Sequence, residues 1–239
     1  MHMTSIARVC RSARRLSRDR SGLALLEFAL SMPIVLALGL YGVETANLAL
    51  ANLRISQMAL NLADNASRVG VQSSLATEQL REVDINDVLA ALRNQGAAMK
   101  LSTRGRVTLS SLEEQNGNQV IHWQRCLGLK SGTGYASSYG ATSPTDGTDT
   151  SAANDGIVSP GGMGDAGAKV IAPPNSGLMF VEINYDYMPV VGTAWLPSGA
   201  VKLHYIASFI VRDRRDFSQI FNPAPATAAI RSTCDKFTT

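Results

Sequence analysis

A single long apolar run near the N-terminus is the feature that most restricts how this chain can fold. Residues Leu23–Val43 read LALLEFALSMPIVLALGLYGV, with Glu27 as their one charged member. As an α-helix, such a run extends about 31 Å, close to the roughly 30 Å hydrocarbon core of a bilayer. The run therefore predicts one transmembrane helix, and the rest of the chain must fold outside the lipid.

Charge is distributed unevenly on the two sides of this run. Residues 1–22 contain six arginines and one aspartate, whereas residues 23–239 contain 16 basic and 18 acidic residues. The arginine-rich flank predicts a cytoplasmic N-terminus and an extracytoplasmic remainder after about Glu44. A basic cluster can also bind nucleic acid through its phosphates. Because this one ends abruptly at Ser21-Gly22, next to the apolar run, a topological signal is favoured and no nucleic-acid partner is expected.

Glu27 requires an explanation, since a carboxylate inside an apolar helix is unfavourable by a few kcal/mol unless it is paired or protonated. One interpretation places it at the membrane interface, in reach of headgroups or water. The other begins with Gly22. Cleavage after Gly22 would make Leu23 the N-terminus and Glu27 the fifth residue, so that the carboxylate could neutralise the terminal amine of a neighbouring helix.

The stretch RDRSGLALLEFALSMPIVLALGLYGVE resembles the signals that prepilin peptidases process and, more narrowly, the start of the TadE-like family of tight-adherence (Flp) pilus proteins. The similarity is strongest over about Arg18–Asn61. A weaker similarity covers RVTLSSLE…HWQRC and VEINYDYMPV…VKLHYIASFIVRDRR. The resemblance implies cleavage between Gly22 and Leu23, with Glu27 and Phe28 acting in assembly.

The same resemblance implies a minor pseudopilin of the bacterial inner membrane, with its N-terminus cytoplasmic and its C-terminal domain periplasmic, or incorporated into the pilus. Its expected partners are a prepilin peptidase, other pilins or pseudopilins and the pilus assembly machinery. Pro33 is expected to kink the helix. Small residues at Ser31, Gly39 and Gly42 suit either close helix packing or exposure to lipid.

The helix is expected to continue beyond the membrane, so that one rod covers 23–69. Its outer half contains apolar residues at spacings of three and four, which predict a stripe that covers the protein's own sheet: Leu48, Ala51, Ile55, Met58, Leu62 and Val69. A shorter helix is predicted at Ile85–Gln95, with Asp84 as N-cap and Gly96 as its end.

Four strands are predicted in the outer domain, residues 70–239: Arg106–Glu113, Gln119–Cys126, Met179–Tyr187 and Val201–Arg212. Asn116-Gly117 between the first two is a strong hairpin signal. A long helix before four such strands predicts an α+β fold with a four-stranded antiparallel, pilin-like sheet.

The segment 128–168 has a different composition, with ten of the chain's 20 glycines and no arginine or glutamate. Such a segment buries little apolar surface, which predicts a long, flexible, exposed loop. Its four aspartates could in principle bind Ca²⁺, but their spacing matches no known loop pattern, so no metal is expected: Asp146, Asp149, Asp155 and Asp165.

The three cysteines divide between the two sides of the membrane. Cys10 lies in the leader, whereas Cys126 and Cys234 are both expected in an oxidising compartment. A disulfide between them is favoured over two free thiols, and it would close a long loop and hold the C-terminal tail.

Motifs of known catalytic sites are absent from the sequence. His122 and His204 occur singly in strand-like segments, and GMGDAGAK at 162–169 has Ala168 where a phosphate-binding loop needs lysine. No enzymatic activity, cofactor or small-molecule substrate is expected.

The leading alternative is an unprocessed, signal-anchored envelope protein that displays an adhesin-like or periplasmic binding domain. Secretion with cleavage near Ala49-Leu50-Ala51 is a weaker alternative.

Overall fold

The computed structural model describes residues 21–72, 77–192, 201–222, 227–228 and 230–239. Most of the arginine-rich leader, with Cys10, lies outside the described residues, and so does the segment 193–200. Within the described residues, the fold is α+β. A long N-terminal helix precedes a five-stranded antiparallel sheet.

Helix α1 is continuous from Ser21 to Arg68, 48 residues, and Pro33 lies inside it. At about 1.5 Å per residue its length is about 72 Å. The outer half buries one face against the sheet, with Ala51, Ile55 and Met58 all less than 8% exposed. The apolar spacing is therefore explained by contact with the protein's own domain.

Helix α2 runs from Glu82 to Gln95 and ends at Gly96, as the sequence predicts. Its start differs from the prediction, because Arg81 rather than Asp84 is the N-cap. Asp84 is the third helical residue, and its carboxylate accepts a hydrogen bond from the backbone N–H of Arg81 at 3.0 Å. An acidic residue at the third helical position and one at the N-cap both accept from a free backbone N–H at the start of a helix. The aspartate alone therefore did not show at which residue α2 begins.

The remaining helical segments are short. Helix α3 covers Leu101–Arg104, and single 3₁₀ turns cover Ala97–Met99 and Ala152–Asn154.

The described residues contain seven strands, of which the first two form a separate small ladder: β1 Val71–Gln72, β2 Glu78–Gln79, β3 Gly105–Gln115, β4 Asn118–Leu127, β5 Ile157–Val158, β6 Gly177–Tyr187 and β7 Val201–Ile210. The main sheet has the order β5-β4-β3-β6-β7 with every pair antiparallel. The α1 helix packs against β6 and β7.

The prediction of four strands is corrected to five. All four predicted strands are present as β3, β4, β6 and β7. The additional strand β5 is two residues long and pairs with β4 through Val120↔Val158 and Ile121↔Ile157. A two-residue strand inside a glycine-rich segment has no periodicity that a sequence pattern could detect.

The hairpin between β3 and β4 turns at Asn116 and Gly117, which have φ angles of 51° and 82°. Two consecutive positive φ values define the turn that Asn-Gly favours, and the predicted hairpin is confirmed.

The segment 128–168 is packed more closely than its composition suggests. Met163 is fully buried, and together with Leu112, Ile121 and Phe180 it belongs to a second apolar core on the sheet face opposite α1. The Ser137 hydroxyl and the Ser138 N–H donate to Glu182 at 2.5 and 2.9 Å. The segment therefore covers a face of the sheet, and its flexibility stays a prediction.

Candidate functional site: the long helix and its anchor

The predicted cleavage site lies in the first turn of α1. Gly22 and Leu23 are both exposed, and Leu23 retains 51% of its accessible surface. A Cβ atom built on Gly22 would have no atom within 4 Å, and the same is true of Gly39 and Gly42. Packing within this chain therefore does not require glycine at any of these three positions.

Glu27 and Phe28 lie on the same exposed part of α1. The Phe28 ring is 60% exposed, and Glu27 has no hydrogen bond or ion pair with any residue that the structure describes. The nearest polar contact on this surface is internal to the helix, since the Ser31 hydroxyl donates to the Phe28 carbonyl at 3.3 Å. Among residues 21–239 as far as the structure describes them, the charge of Glu27 therefore has no partner.

The first half of α1 is apolar and makes almost no contact with the domain. This helix is long and apolar enough to cross a membrane, and none of its most apolar stretch is buried within the protein. A broad set of large side chains in it is more than 40% exposed: Leu23, Leu25, Leu26, Phe28, Leu30, Met32, Ile34, Val35, Leu36, Leu38, Leu40, Tyr41 and Val43.

Apolar exposure continues past the predicted membrane boundary. Leu50, Leu53 and Leu60 are 51%, 53% and 42% exposed, although the opposite face of this part of α1 is buried in the sheet. They are separated by three and seven residues, which places them on one side of the helix. This side is available to another macromolecule or to lipid.

Glu44 joins the two halves of the molecule. It directly follows the apolar run and is only 1% exposed. Its carboxylate accepts hydrogen bonds from the Tyr187 hydroxyl at 2.7 Å and from the backbone N–H groups of Val190 and Val191, both at 2.9 Å. We refer to these three contacts as the Glu44 anchor.

The Glu44 anchor also affects its tyrosine. Burial, followed by the hydrogen bond to the Glu44 carboxylate, raises the pKa of Tyr187 to about 12. The tyrosine therefore stays a donor throughout the neutral range. Sequence reasoning missed this site, and the one available signal was a carboxylate placed immediately after an apolar span.

The structure brings Cys126 and Cys234 together in a disulfide bond with a Cα–Cα distance of 4.8 Å across a sequence separation of 108. Arg106 holds the same tail, since its guanidinium donates to the carbonyls of Gly128, Cys234 and Lys236 at 2.6–2.8 Å. The C-terminal residues are thus fixed at the end of β4.

The four aspartates of the glycine-rich segment do not converge. Asp146 accepts from the Ser143 N–H at 2.7 Å, and Asp149 accepts from Ser151 and Asn154, so both stabilise local turns. No group of three or more histidine, cysteine or acidic side chains suited to a metal occurs among the described residues.

No protein-family model matches this chain, and neither a curated protein nor a solved structure is significantly similar to it.

Proposed function

We propose that this protein is a single-pass minor pseudopilin of a tight-adherence type of pilus. In this proposal a prepilin peptidase cuts it between Gly22 and Leu23, and it then joins other pilus subunits through α1. The arginine-rich leader would lie in the cytoplasm and the sheet domain in the periplasm. The proposal rests on the resemblance of residues 18–61 to TadE-like proteins and on the contacts of the helix.

The observation that most supports the proposal is the unpaired charge of Glu27 on an apolar, exposed helix. Lipid does not stabilise an isolated carboxylate, and its own domain offers no partner among the described residues. Cleavage after Gly22 would create a terminal ammonium at Leu23, four residues before Glu27. In a bundle of axially offset helices, the ammonium of one subunit can lie beside Glu27 of the next, and both charges are then neutralised.

A second observation concerns the part of α1 outside the predicted span. Leu50, Leu53 and Leu60 are exposed beyond the predicted transmembrane span Leu23–Val43. A neighbouring helix would remove this apolar surface from water at about 25 cal/mol per Å². The exposed side therefore favours assembly through the helix both inside and outside the membrane.

The alternative of an unprocessed, signal-anchored binding protein is supported by one feature, a large polar cavity in the outer domain described below. It assigns no role to Gly22 or Glu27. Intact-mass spectrometry of the membrane protein separates the two proposals. The pseudopilin should lack residues 1–22 in cells that contain the peptidase, and an intact N-terminus would contradict it.

Substitution of Glu27 tests the assembly step. Glu27→Gln removes the charge and retains the shape, so it should permit cleavage and domain folding but reduce incorporation into pili. Asp165→Asn is the matched control, because it removes an exposed carboxylate from the outer domain outside the cavity described below. Incorporation of the Glu27 variant at the level of this control would refute the role of the charge.

A further inference from the structure

A large cavity lies at the turn of the β3–β4 hairpin, far along the chain from the membrane segment. Its volume is about 700 Å³, within the roughly 300–1,000 Å³ range of small-molecule sites. The β3–β4 hairpin, the glycine-rich segment and the residues that follow β7 all contribute to its walls. Nothing in the proposed pseudopilin function uses this cavity.

The walls are acidic. Four carboxylates line the cavity: Glu113, Glu114, Asp155 and Asp216. Among the described lining residues, Arg215 is the one permanent cation. Arg215 is committed elsewhere, since its terminal nitrogens donate to the carbonyls of Ala66 at 3.2 Å and Val69 at 2.6 Å. The guanidinium thus donates hydrogen bonds at the C-terminal end of α1, and its single positive charge offsets only part of the negative charge of the four carboxylates.

His122 is a second, independent feature of the same cavity. It lacks a pairing partner in the β3–β4 ladder, where Ser111 pairs with Trp123 and Leu112 with Ile121, so it is the extra residue of a β-bulge. The ring is 2% exposed, and its Nδ1 lies 2.9 Å from the Glu113 carboxylate. Nε2, on the opposite edge of the ring, is buried and has no hydrogen-bond partner among the described residues.

We propose that this cavity binds a small organic cation, an amine or a guanidine, whose N–H groups donate to His122 Nε2 and to the surrounding carboxylates. With Nδ1–H donated to Glu113, neutral His122 offers the lone pair of Nε2 as an acceptor. The aromatic ring of Phe217 lies in the same wall and suits a cation as well. The inference goes beyond the proposed pseudopilin function and does not depend on it.

Binding is expected to depend on pH through His122. Burial lowers the pKa of this ring, but the hydrogen bond and charge of Glu113, together with the charges of Asp155 and Asp146, outweigh burial, so that the pKa is raised. An imidazolium offers no lone pair and repels a cation. Affinity should therefore increase as the pH rises through the raised pKa of His122.

Isothermal titration of the full chain in detergent micelles, with agmatine as the probe, tests the proposal. At a pH above the raised pKa of His122, where the ring is neutral in wild type and variant alike, Asp155→Asn, at an exposed position of the cavity, should weaken binding about tenfold, since one charge a few Å from the ligand is removed. Asp165→Asn is the matched control, because it lies in the same segment, is exposed and does not line the cavity. Equal affinity of the two variants, or no binding by the wild-type chain, would overturn the proposal.

The imidazole itself gives a readout that does not require a substitution in the core. In long-range ¹H–¹⁵N spectra, agmatine should shift the Nε2 resonance of His122, and the neutral probe 1,4-butanediol should not. A peptide with one arginine and blocked termini distinguishes the source of the cation. If agmatine binds more tightly than the peptide, the ligand is a free small cation, as proposed. If the peptide binds and agmatine does not, the proposal of a small organic cation is overturned in favour of an arginine side chain of a partner protein.

Discussion

Removal of the Glu44 carboxylate should loosen the connection between α1 and the outer domain. Glu44→Ala deletes the acceptor of three hydrogen bonds, from Tyr187, Val190 and Val191. A hydrogen bond to a charged group contributes about 1.5–3 kcal/mol, so the three together set an upper limit of about 4.5–9 kcal/mol, well above the expected loss. Val190 is 72% exposed and Val191 is half-buried, so water can reach this loop after truncation, whereas Tyr187 is only 5% exposed. We therefore expect a local loss of about 2–4 kcal/mol.

Hydrogen exchange of the Val190 and Val191 amides measures this loss directly. If the opening is local, their protection should fall by about 30- to 700-fold, which is the same free energy at about 1.4 kcal/mol per tenfold. The global unfolding transition should move less, because the core between α1 and the sheet is unchanged. The experiment needs the full chain in micelles, so that the helix is intact.

Thr45→Ala is the matched control for this experiment. Thr45 is the exposed neighbour of Glu44, and its hydroxyl donates only within the helix, to the Gly42 carbonyl at 2.9 Å. Its removal should leave both valine amides protected to within a few-fold. If Glu44→Ala leaves them as protected as Thr45→Ala does, the hydrogen bonds to Glu44 do not hold this loop and the reasoning is refuted.

Three further perturbations have defined outcomes. In a tyrosinate absorbance titration, Tyr187 should ionise near its pKa of about 12, and Tyr187→Phe should remove this late step. The raised pKa stabilises the folded state fully at pH values below the unfolded tyrosine pKa of about 10. This stabilisation is lost as the pH rises through about 12. Cys126→Ser with Cys234→Ser should lower unfolding stability by up to about 4–5 kcal/mol, the chain-entropy value for a loop of this length, and a reductant should then have no further effect on the melting temperature. Gly117→Ala should cost about 1 kcal/mol in chemical denaturation, since φ is 82° and the new methyl group meets no atom within 4 Å, and an unchanged midpoint would contradict the turn.

Local patterns were sufficient to predict most of the framework. The spacing of Ala51, Ile55, Met58 and Leu62 identified the buried face of α1, because residues three or four apart in the sequence lie on the same face of a helix. Asn116-Gly117 identified the hairpin for the same reason, since its conformational requirement lies within two residues. These elements follow from neighbouring residues alone.

The parts that sequence reasoning missed depend on distant contacts. The partners of Glu44 lie more than 140 residues further along the chain, two of them backbone amides that leave no mark in the sequence. His122 appeared as an ordinary strand residue because the bulge is a mismatch between two strands, visible only from their register. The strand Ile157–Val158 was hidden in a glycine-rich segment whose apolar contacts come from Ile121 and Phe180 on other strands.

The continuity of α1 from Ser21 to Arg68 also has a directional consequence. Each residue of a helix turns the side-chain direction by about 100°, so the side on which the sheet packs fixes the direction in which Glu27 projects. A neighbouring subunit that contacts the outer domain in one orientation would therefore meet the Glu27 charge at one fixed angle around the helix axis. Insertion of a single residue between Glu27 and Glu44 would rotate the Glu27 side chain by about 100° around the helix axis relative to the sheet, while both ends of the helix stay chemically unchanged.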